Sequence, residues 1–278
     1  MKKILYSVLA LGLTLSAQAQ EAADKDFQAG IVLGAGMNFQ KMGTKAIESA
    51  GAGSDLTIGA NLNFSLNKTI AFCTGVEFDF NSIKFNYSQD TKPSIFYRYN
   101  DTEILQKGDA LGANDQYFQL VDRTQKSVYL TVPTMLLFRT NFIGYFRYFG
   151  KFGLRSSFLL STKSNDEGFN YDAGYINGAS ATNENMKTSG DMFFFKSAVG
   201  LAGGAEWNFT GSTCLVAELG YYYGFTPLYW GRSADSDKTT LYTRAIENGT
   251  SSDAFLANKA TQGQLMFKVS ILFERANH

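Results

Sequence analysis

The stretch LTIGANLNFSLNKTIAFCTGVEFDF, from Leu56 to Phe80, decides the fold of this chain. Large apolar residues alternate with small or polar residues on both sides of Asn67 and Lys68. Strict alternation is typical of a β-strand, because successive side chains point to opposite faces of a sheet. Two alternating runs joined by two polar residues therefore predict a pair of antiparallel strands with a tight turn.

The same period of two recurs along the chain and predicts eight strands. In each run one face is bulky and apolar, and the other carries small, polar and charged residues. The predicted strands lie near residues 27–39, 56–66, 70–80, 128–139, 151–163, 193–209, 215–225 and 264–274. The charged residues of these runs all fall on the small-residue face: Glu77, Asp79, Arg139, Lys151, Arg155, Lys163, Lys196, Glu206, Glu218, Lys268 and Glu274.

This alternation fits two architectures. A soluble eight-stranded barrel turns its apolar face inward, whereas a membrane barrel turns that face outward to lipid. Side-chain size separates the two, because the interior of an eight-stranded barrel is only just wide enough for side chains. The face that carries glycine, serine and asparagine must therefore be the inside. The sequence predicts an all-β protein, an eight-stranded antiparallel up-and-down transmembrane β-barrel.

The predicted connections alternate in length, as in outer-membrane barrels with short periplasmic turns and long extracellular loops. Short connections lie near residues 67–68, 141–147 and 210–211, and long ones near 41–54, 88–126, 164–190 and 226–261. After Phe80 the apolar residues change parity, which predicts either a β-bulge near Ser82 or a strand that has already left the membrane. The residues concerned are Ile83, Phe85 and Tyr87.

The N-terminal segment has the pattern of a secretory signal peptide. Two lysines precede an apolar run at residues 4–15 that is too short to span a bilayer, and Ala-Gln-Ala follows at 17–19. We therefore predict a cleaved signal peptide at residues 1–19 and a single barrel domain at residues 20–278. Export and the barrel pattern together predict the outer membrane of a Gram-negative bacterium, with outer-membrane lipid as a partner.

Several segments resemble the PorT-like group of outer-membrane β-barrel proteins. Residues 129–133 read YLTVP, followed by TMLLFR and then YFGKFGLRSSFLLSTK; VGLAGGAEWNF at 199–209 and the closing LMFKVSILF are similar too. The resemblance covers most of the chain after the signal segment. It implies an outer-membrane barrel whose assembly depends on the barrel-insertion machinery, in a family where some members serve protein secretion.

The predicted lumen charges permit a functional and a structural interpretation. The set comprises Glu77, Asp79, Lys151, Arg155, Lys196, Glu206, Glu218 and Lys268. These side chains could line a gated polar path for small solutes. Charges on facing walls of a narrow barrel also pair with one another, and buried charges are tolerated only when they are paired. We favour the second interpretation, in which the charges plug the lumen.

Composition argues against several other functions. The formal net charge is +0 and no basic cluster is present, so nucleic acid is not an expected partner. The single histidine is His278, the last residue, so a histidine-dependent enzyme is not expected. Cys73 and Cys214 fall on opposite strands of the predicted barrel, too far apart for a disulfide. We therefore expect both cysteines to remain thiols. We expect neither a metal nor another cofactor, and we expect acids in the loops, such as Asp166, to be solvated.

The extracellular loops are the remaining candidates for function, because loops on a rigid scaffold commonly carry recognition. Their aromatic and arginine residues are of types favoured at binding hot spots, although packing over the barrel rim explains them equally well. These residues are Tyr97, Arg98, Tyr99, Tyr117, Phe118 and Trp230. The sequence thus predicts a structural or protein-interaction module that contacts an unidentified protein through its loops. The alternative is a small-solute channel or gated pore.

Overall fold

The computed structural model describes residues 27–43, 47–87, 93–172, 178–187, 191–208, 213–231, 233–247 and 250–274. Three sequence predictions lie outside the described residues. They are the signal peptide at 1–19, the turn at 210–211 and the position of His278.

The described residues form fourteen strands and no helix. The strands are β1 (Phe27–Met42), β2 (Glu48–Ser49), β3 (Gly53–Ser65), β4 (Ile70–Asn86), β5 (Ile95–Asn100), β6 (Glu103–Ile104), β7 (Gln116–Arg139), β8 (Phe146–Tyr171), β9 (Ala179–Met186), β10 (Phe195–Asn208), β11 (Thr213–Gly224), β12 (Tyr242–Glu247), β13 (Thr250–Phe255) and β14 (Ala260–Glu274). In this part of the chain no helix is long and apolar enough to cross a membrane.

Eight of the strands close into a ring. In order around the ring they are β1, β3, β4, β7, β8, β10, β11 and β14, and β14 closes it by pairing with β1. All of these pairings are antiparallel. The ring pairs the backbone groups of every strand on both edges, which is the condition for a sheet to cross lipid. The predicted eight-stranded antiparallel β-barrel is confirmed.

The outer face of the ring is apolar over a height that fits a membrane. On β4, Phe78 and Phe80 are 42% and 45% exposed, whereas Glu77 and Asp79, which alternate with them, are each 1% exposed. From Ile70 to Phe80, ten steps of about 3.4 Å at a tilt of about 40° rise about 26 Å along the barrel axis. This height matches the apolar band of about 25 Å that is typical of outer-membrane barrels.

Aromatic side chains lie on the outer face at the end of the ring where the short connections are found. The rings of Phe27 and Phe64 have their centroids 5.2 Å apart, and Phe146 stacks on Trp207 at 6.0 Å. Amphipathic rings at this level are typical of a membrane interface. They indicate that the apolar band ends here, on the periplasmic side.

β4 contains no bulge near Ser82, so that expectation was wrong. Its register with β3 and β7 is continuous, and Ile83, Phe85 and Tyr87 keep the lumen-facing parity of Asp79. The alternative expectation, a strand that has left the membrane, agrees with the structure. The inside of the barrel changes from polar to apolar at this level, whereas the direction of the side chains stays the same.

Lys163 lies on the outer face, not in the lumen as predicted. The register between β7 and β8 shifts at Val128 and Tyr129, which inserts Leu160 as a β-bulge in β8. Beyond the bulge the inward positions of β8 are the even-numbered ones, because one extra residue reverses the alternation. Lys163 is therefore exposed.

The barrel wall continues beyond the membrane as an extracellular extension. The upper part of β7 pairs with β5, which pairs with β12, and the upper part of β8 pairs with β9. The predicted long loops at 88–126, 164–190 and 226–261 therefore contain strands. We call the buried apolar residues inside this extension the extracellular core: Ile47, Ile83, Phe85, Tyr87, Ile95, Tyr97, Tyr99, Ile104, Phe118, Leu120, Tyr129, Met186, Met192, Leu228, Tyr229, Leu241 and Ala260.

The inside-outside assignment predicts the effect of an arginine on the lipid-facing surface. Leu219, on the outer face of β11, is 56% exposed in the protein alone and so lies against lipid. Leu219→Arg should destabilise the folded barrel by about 2–4 kcal/mol, the cost of this charge near the bilayer midplane. Urea unfolding in phospholipid vesicles measures the change.

Leu111→Arg is the matched control. Leu111 is 77% exposed in a connection outside the ring, so the same substitution should change stability by less than about 0.5 kcal/mol. Equal effects of the two substitutions would show that the assigned faces are incorrect.

Candidate functional site

The lumen is crossed by a buried cluster of ion pairs at the level of the membrane, which we call the central cluster: Glu77, Asp79, Arg155 and Lys268. Arg155 on β8 donates from Nη2 to Glu77 Oε2 at 2.6 Å and to both carboxylate oxygens of Asp79 at 3.0 Å. Lys268 on β14 donates to both oxygens of Glu77 at 2.7 and 2.8 Å. The cluster therefore joins three strands across the interior.

Polar groups from neighbouring strands complete the hydrogen bonding of Asp79. The hydroxyls of Thr57 on β3 and Thr131 on β7 each donate to its carboxylate at 2.5 Å. The guanidinium of Arg155 also lies 4.9 Å from the ring centroid of Tyr222, a cation–π contact. A buried carboxylate that accepts this many bonds is satisfied within the protein, with little need for solvent.

Two further ion pairs lie nearer the periplasmic end. Arg147 makes a bidentate contact with Glu206, from Nε at 2.8 Å and from Nη2 at 2.6 Å, and Gln28 also donates to Glu206 at 3.1 Å. Lys151 donates to Glu218 at 2.5 Å. The acids of this part of the lumen thus each have a basic partner on β8, which is adjacent to the strand of Glu206 and separated by β10 from the strand of Glu218.

Toward the extracellular side the lumen contains amides and one lysine. Lys196 donates to Gln262 Oε1 at 3.0 Å and lies 3.8 Å from the ring centroid of Tyr129. Asp55 accepts hydrogen bonds from the side chains of Asn38, Asn81 and Gln264. A cavity between Arg155 and Lys196 has a volume of about 10 Å³, about the space of one water molecule.

The structure places all eight predicted lumen charges on the inner face: Glu77, Asp79, Lys151, Arg155, Lys196, Glu206, Glu218 and Lys268. Sequence reasoning missed Arg147, which was assigned to a short connection, and Asp55, which lies between the predicted loop at 41–54 and the predicted strand at 56–66. In both cases the signal was present, because Arg147 continues the alternation of Phe149 and Lys151, and Asp55 continues that of Thr57.

A separate ion pair lies inside the extracellular extension. Arg123 makes a bidentate contact with Asp166, with both N–O distances 2.7 Å, and the two side chains are 3% and 0% exposed. Arg123 also lies 5.3 Å from the ring centroid of Tyr97. The expectation that Asp166 is a solvated loop residue was wrong, because β8 continues past the membrane and directs this carboxylate inward.

The residues predicted to take part in loop recognition divide into two groups. Tyr97, Tyr99 and Phe118 are 0%, 5% and 0% exposed and belong to the extracellular core. Arg98 is 8% exposed and donates to the backbone oxygens of Gln106 and Asp109. The alternation of β5 and β7 turns Tyr97, Tyr99 and Phe118 inward. Arg98 lies on the opposite face of β5 and is covered by the segment that follows β6, so rim packing describes the position of all four residues and surface recognition does not.

Tyr117 and Trp230 form the second group and remain partly exposed. The ring of Trp230 packs on Phe193 at a centroid distance of 4.3 Å and lies 5.1 Å from the Lys238 ammonium. These two residues are the members of the predicted set that a partner can reach.

Cys73 on β4 and Cys214 on β11 both face the lumen and are buried, and no disulfide joins them, as predicted. Among the described residues no group of three or more His, Cys, Asp or Glu is arranged to hold a metal ion.

A closed antiparallel ring with an apolar outer face and a paired polar lumen defines a transmembrane β-barrel. Residues 17–229 match the family model described as the outer membrane protein beta-barrel domain. The chain belongs to this family, and the family implies a location in the outer membrane of a Gram-negative bacterium. No curated protein matches the chain in sequence.

Solved structures of similar architecture come from several outer-membrane proteins. OprG of Pseudomonas aeruginosa is 9% identical with a TM-score of 0.42, and the alignment covers 91% of this chain and 97% of OprG. The protease OmpT of Escherichia coli is 9% identical with a TM-score of 0.39, covering 91% and 98%. Ail of Yersinia pestis, the attachment invasion locus protein, is 13% identical with a TM-score of 0.30, covering 88% and 98%. Similarity at this level carries no information on the activity of this chain.

The central cluster predicts a specific pattern of stability changes. Arg155→Met should destabilise the barrel by about 3–5 kcal/mol, because it leaves Asp79 buried without its main basic partner. Arg155→Met combined with Asp79→Asn should cost less than Arg155→Met alone, since the pair of Glu77 and Lys268 stays intact. Urea unfolding in vesicles compares the two; a double variant no more stable than the single one would contradict the assigned pairing.

The stability of the extracellular extension should depend on pH through Asp191, a carboxyl group that is buried there. Burial raises the pKa of Asp191 to about 6, against the opposing effects of Arg123 and the Thr240 hydroxyl, which donates at 3.4 Å. The pKa of Asp191 in the folded protein exceeds its unfolded value of about 3.9, so protonation of this carboxyl favours the folded state. This contribution to the free energy of unfolding is fully present below about pH 4 and is lost as the pH rises through about 6. Over this pH range the free energy of unfolding falls by about 3 kcal/mol.

Amide hydrogen exchange measures this effect in the residues around Asp191. After correction for the intrinsic rates, exchange should be faster at about pH 7.5 than at about pH 5. Asp191→Asn, which cannot ionise, should remove the difference. An unchanged difference in the variant would assign the pH dependence to another group.

Proposed function

We propose that this protein is a non-catalytic outer-membrane barrel with a closed lumen, and that it acts as a scaffold that presents its extracellular extension to another protein. The observation that carries the proposal is Arg155, a buried guanidinium bonded to Glu77 and Asp79 across the interior. An ion path through this level would have to separate these charges, and separating them without water is costly.

A second layer above the central cluster supports a closed lumen. The extracellular core fills the extension with aromatic and aliphatic side chains, among them Tyr129, Phe85 and Tyr229, which are each 2% exposed or less. The phenol of Tyr229 donates to Gln125 at 2.6 Å. A hydrated path would have to cross this apolar layer as well as the central cluster.

The architecture of the extension supports an interaction role. Strands β5, β9 and β12 extend the wall of the ring, so a sheet supports the exposed surface of the extension, both on its strands and in the connections between them. Rigid presentation lowers the entropic cost of binding a partner. Tyr117 and Trp230 are partly exposed there, and Leu111 is 77% exposed in the connection before β7.

The PorT-like resemblance supports a link to secretion or to another surface function. It also supports assembly by the barrel-insertion machinery. The proposal includes this finer relationship as a hypothesis about the partner, which would then be a component of a protein export or attachment system.

Single-channel recording in planar bilayers tests the closed lumen. The wild-type protein should give no steady conductance. A porin recorded in the same bilayer is the conducting control. A variant in which Glu77, Asp79, Arg155 and Lys268 are all changed to serine removes only the charged layer, and it should also give no steady conductance, because the extracellular core still closes the lumen above it. A steady conductance from the wild type would refute the proposal and would support the small-solute channel instead.

A further inference from the structure

Three lysines form a cluster on the outer face of the barrel at the upper edge of the apolar band. They are Lys84 on β4, Lys126 on β7 and Lys163 on β8, and all three are exposed. Lys126 and Lys163 are direct cross-strand partners, and Lys126 also pairs with Ser82, two residues before Lys84. Side chains directly opposite each other in a sheet have Cβ atoms about 5 Å apart, and diagonal neighbours about 7–8 Å.

This arrangement is unfavourable without an anion. Like charges directly opposite each other destabilise a strand pair. Within the described residues none of the three lysines forms an ion pair, although Asp122, Glu167 and Glu184 lie on the same side of the extension. Asp122 and Glu167 are each four residues further from the membrane than the lysine of their own strand, about 14 Å along it.

The lysines lie at the boundary between an apolar surface and a polar surface. A depression of about 550 Å³ lies against Lys126 and Lys163. Its membrane side is formed by the lipid-facing Leu56, Phe80 and Val128, and its outer side by polar groups that include Asn185. Asp55 also borders it, but the Asp55 carboxylate faces the lumen and accepts bonds from Asn38, Asn81 and Gln264.

We propose that this cluster, Lys84, Lys126 and Lys163, binds the phosphate of a phosphorylated lipid in the outer leaflet, with the acyl chains lying on the apolar outer face below. Basic residues next to a membrane-spanning segment attract anionic lipid headgroups, and each lysine contributes about fivefold to the affinity. The position at the boundary between the apolar band and the polar extension selects a lipid over a free anion. The inference goes beyond the proposed function and does not depend on it.

Native mass spectrometry of the full chain tests the proposal with bis-phosphorylated lipid A as the probe. The protein is reconstituted in phosphatidylcholine nanodiscs that contain the probe and is then extracted gently. The wild type should retain lipid A, and Lys84→Gln/Lys126→Gln/Lys163→Gln should bind about 100-fold more weakly, from about fivefold for each lysine. The matched control Lys187→Gln/Lys238→Gln/Lys259→Gln removes three exposed extracellular lysines elsewhere and should bind as the wild type does.

Three outcomes would overturn the proposal. Equal retention by the wild type and the first triple variant would show that the cluster is not the site. Equal retention of dephosphorylated lipid A would show that the apolar surface alone holds the lipid. Displacement of lipid A by an excess of inorganic phosphate would show a site for free anions.

Heat-modifiable migration in gels establishes whether each variant is folded. If the triple variant does not fold, the single variants Lys126→Gln and Lys163→Gln decide, each with an expected loss of about fivefold. Replacement of all three lysines by arginine keeps the charge and should keep the binding, so loss of lipid A from a folded arginine variant would also contradict the proposal.

Discussion

The structure depends on one constraint: in lipid, each backbone N–H and C=O group must find its partner inside the sheet. The ring meets it by closing β14 onto β1. Closure with only eight strands leaves an interior just wide enough for side chains. The narrow interior then selects small residues and paired charges for the inner face, and lipid selects bulky apolar residues for the outer face. The alternation in Leu56–Phe80 is the direct result of these two solvents acting on one strand.

Most of the charged groups of the lumen are tolerable because they are paired across strands, whereas Lys196 and Asp55 are bonded to side-chain amides. Glu77 has two basic partners, and Glu206 and Glu218 have one each, from Arg147 and Lys151. Buried ion pairs add little net stability compared with apolar packing, but removing one partner is strongly destabilising. We infer that the pairs favour the correct register and ring order over alternatives, because a shifted strand would leave a charge buried without its partner.

The sequence predicted the barrel, its strand number and the eight lumen charges, because a period of two is a local signal that survives without knowledge of contacts. It did not predict the extracellular extension. Above the membrane the outside is water and the inside is apolar, so the meaning of the pattern reverses at Ile83 without any change in backbone geometry. Lys163 was misplaced for another reason: a bulge reverses the parity of a strand, and no residue type near Leu160 indicates that a bulge is present. The expectation for Asp166 was wrong because both the bulge and the extension were missed, and the expectation for Tyr97 was wrong because the extension was missed.

The central claim is that the lumen is closed and dry around its charged groups, and the two native thiols report on this directly. Cys73 and Cys214 face the lumen and are 6% and 0% exposed. In the protein folded in vesicles, a small charged methanethiosulfonate reagent should leave both thiols unmodified, and it should modify both after unfolding. Rapid modification of either cysteine in the folded barrel would show that water and ions reach the lumen, which would contradict the account.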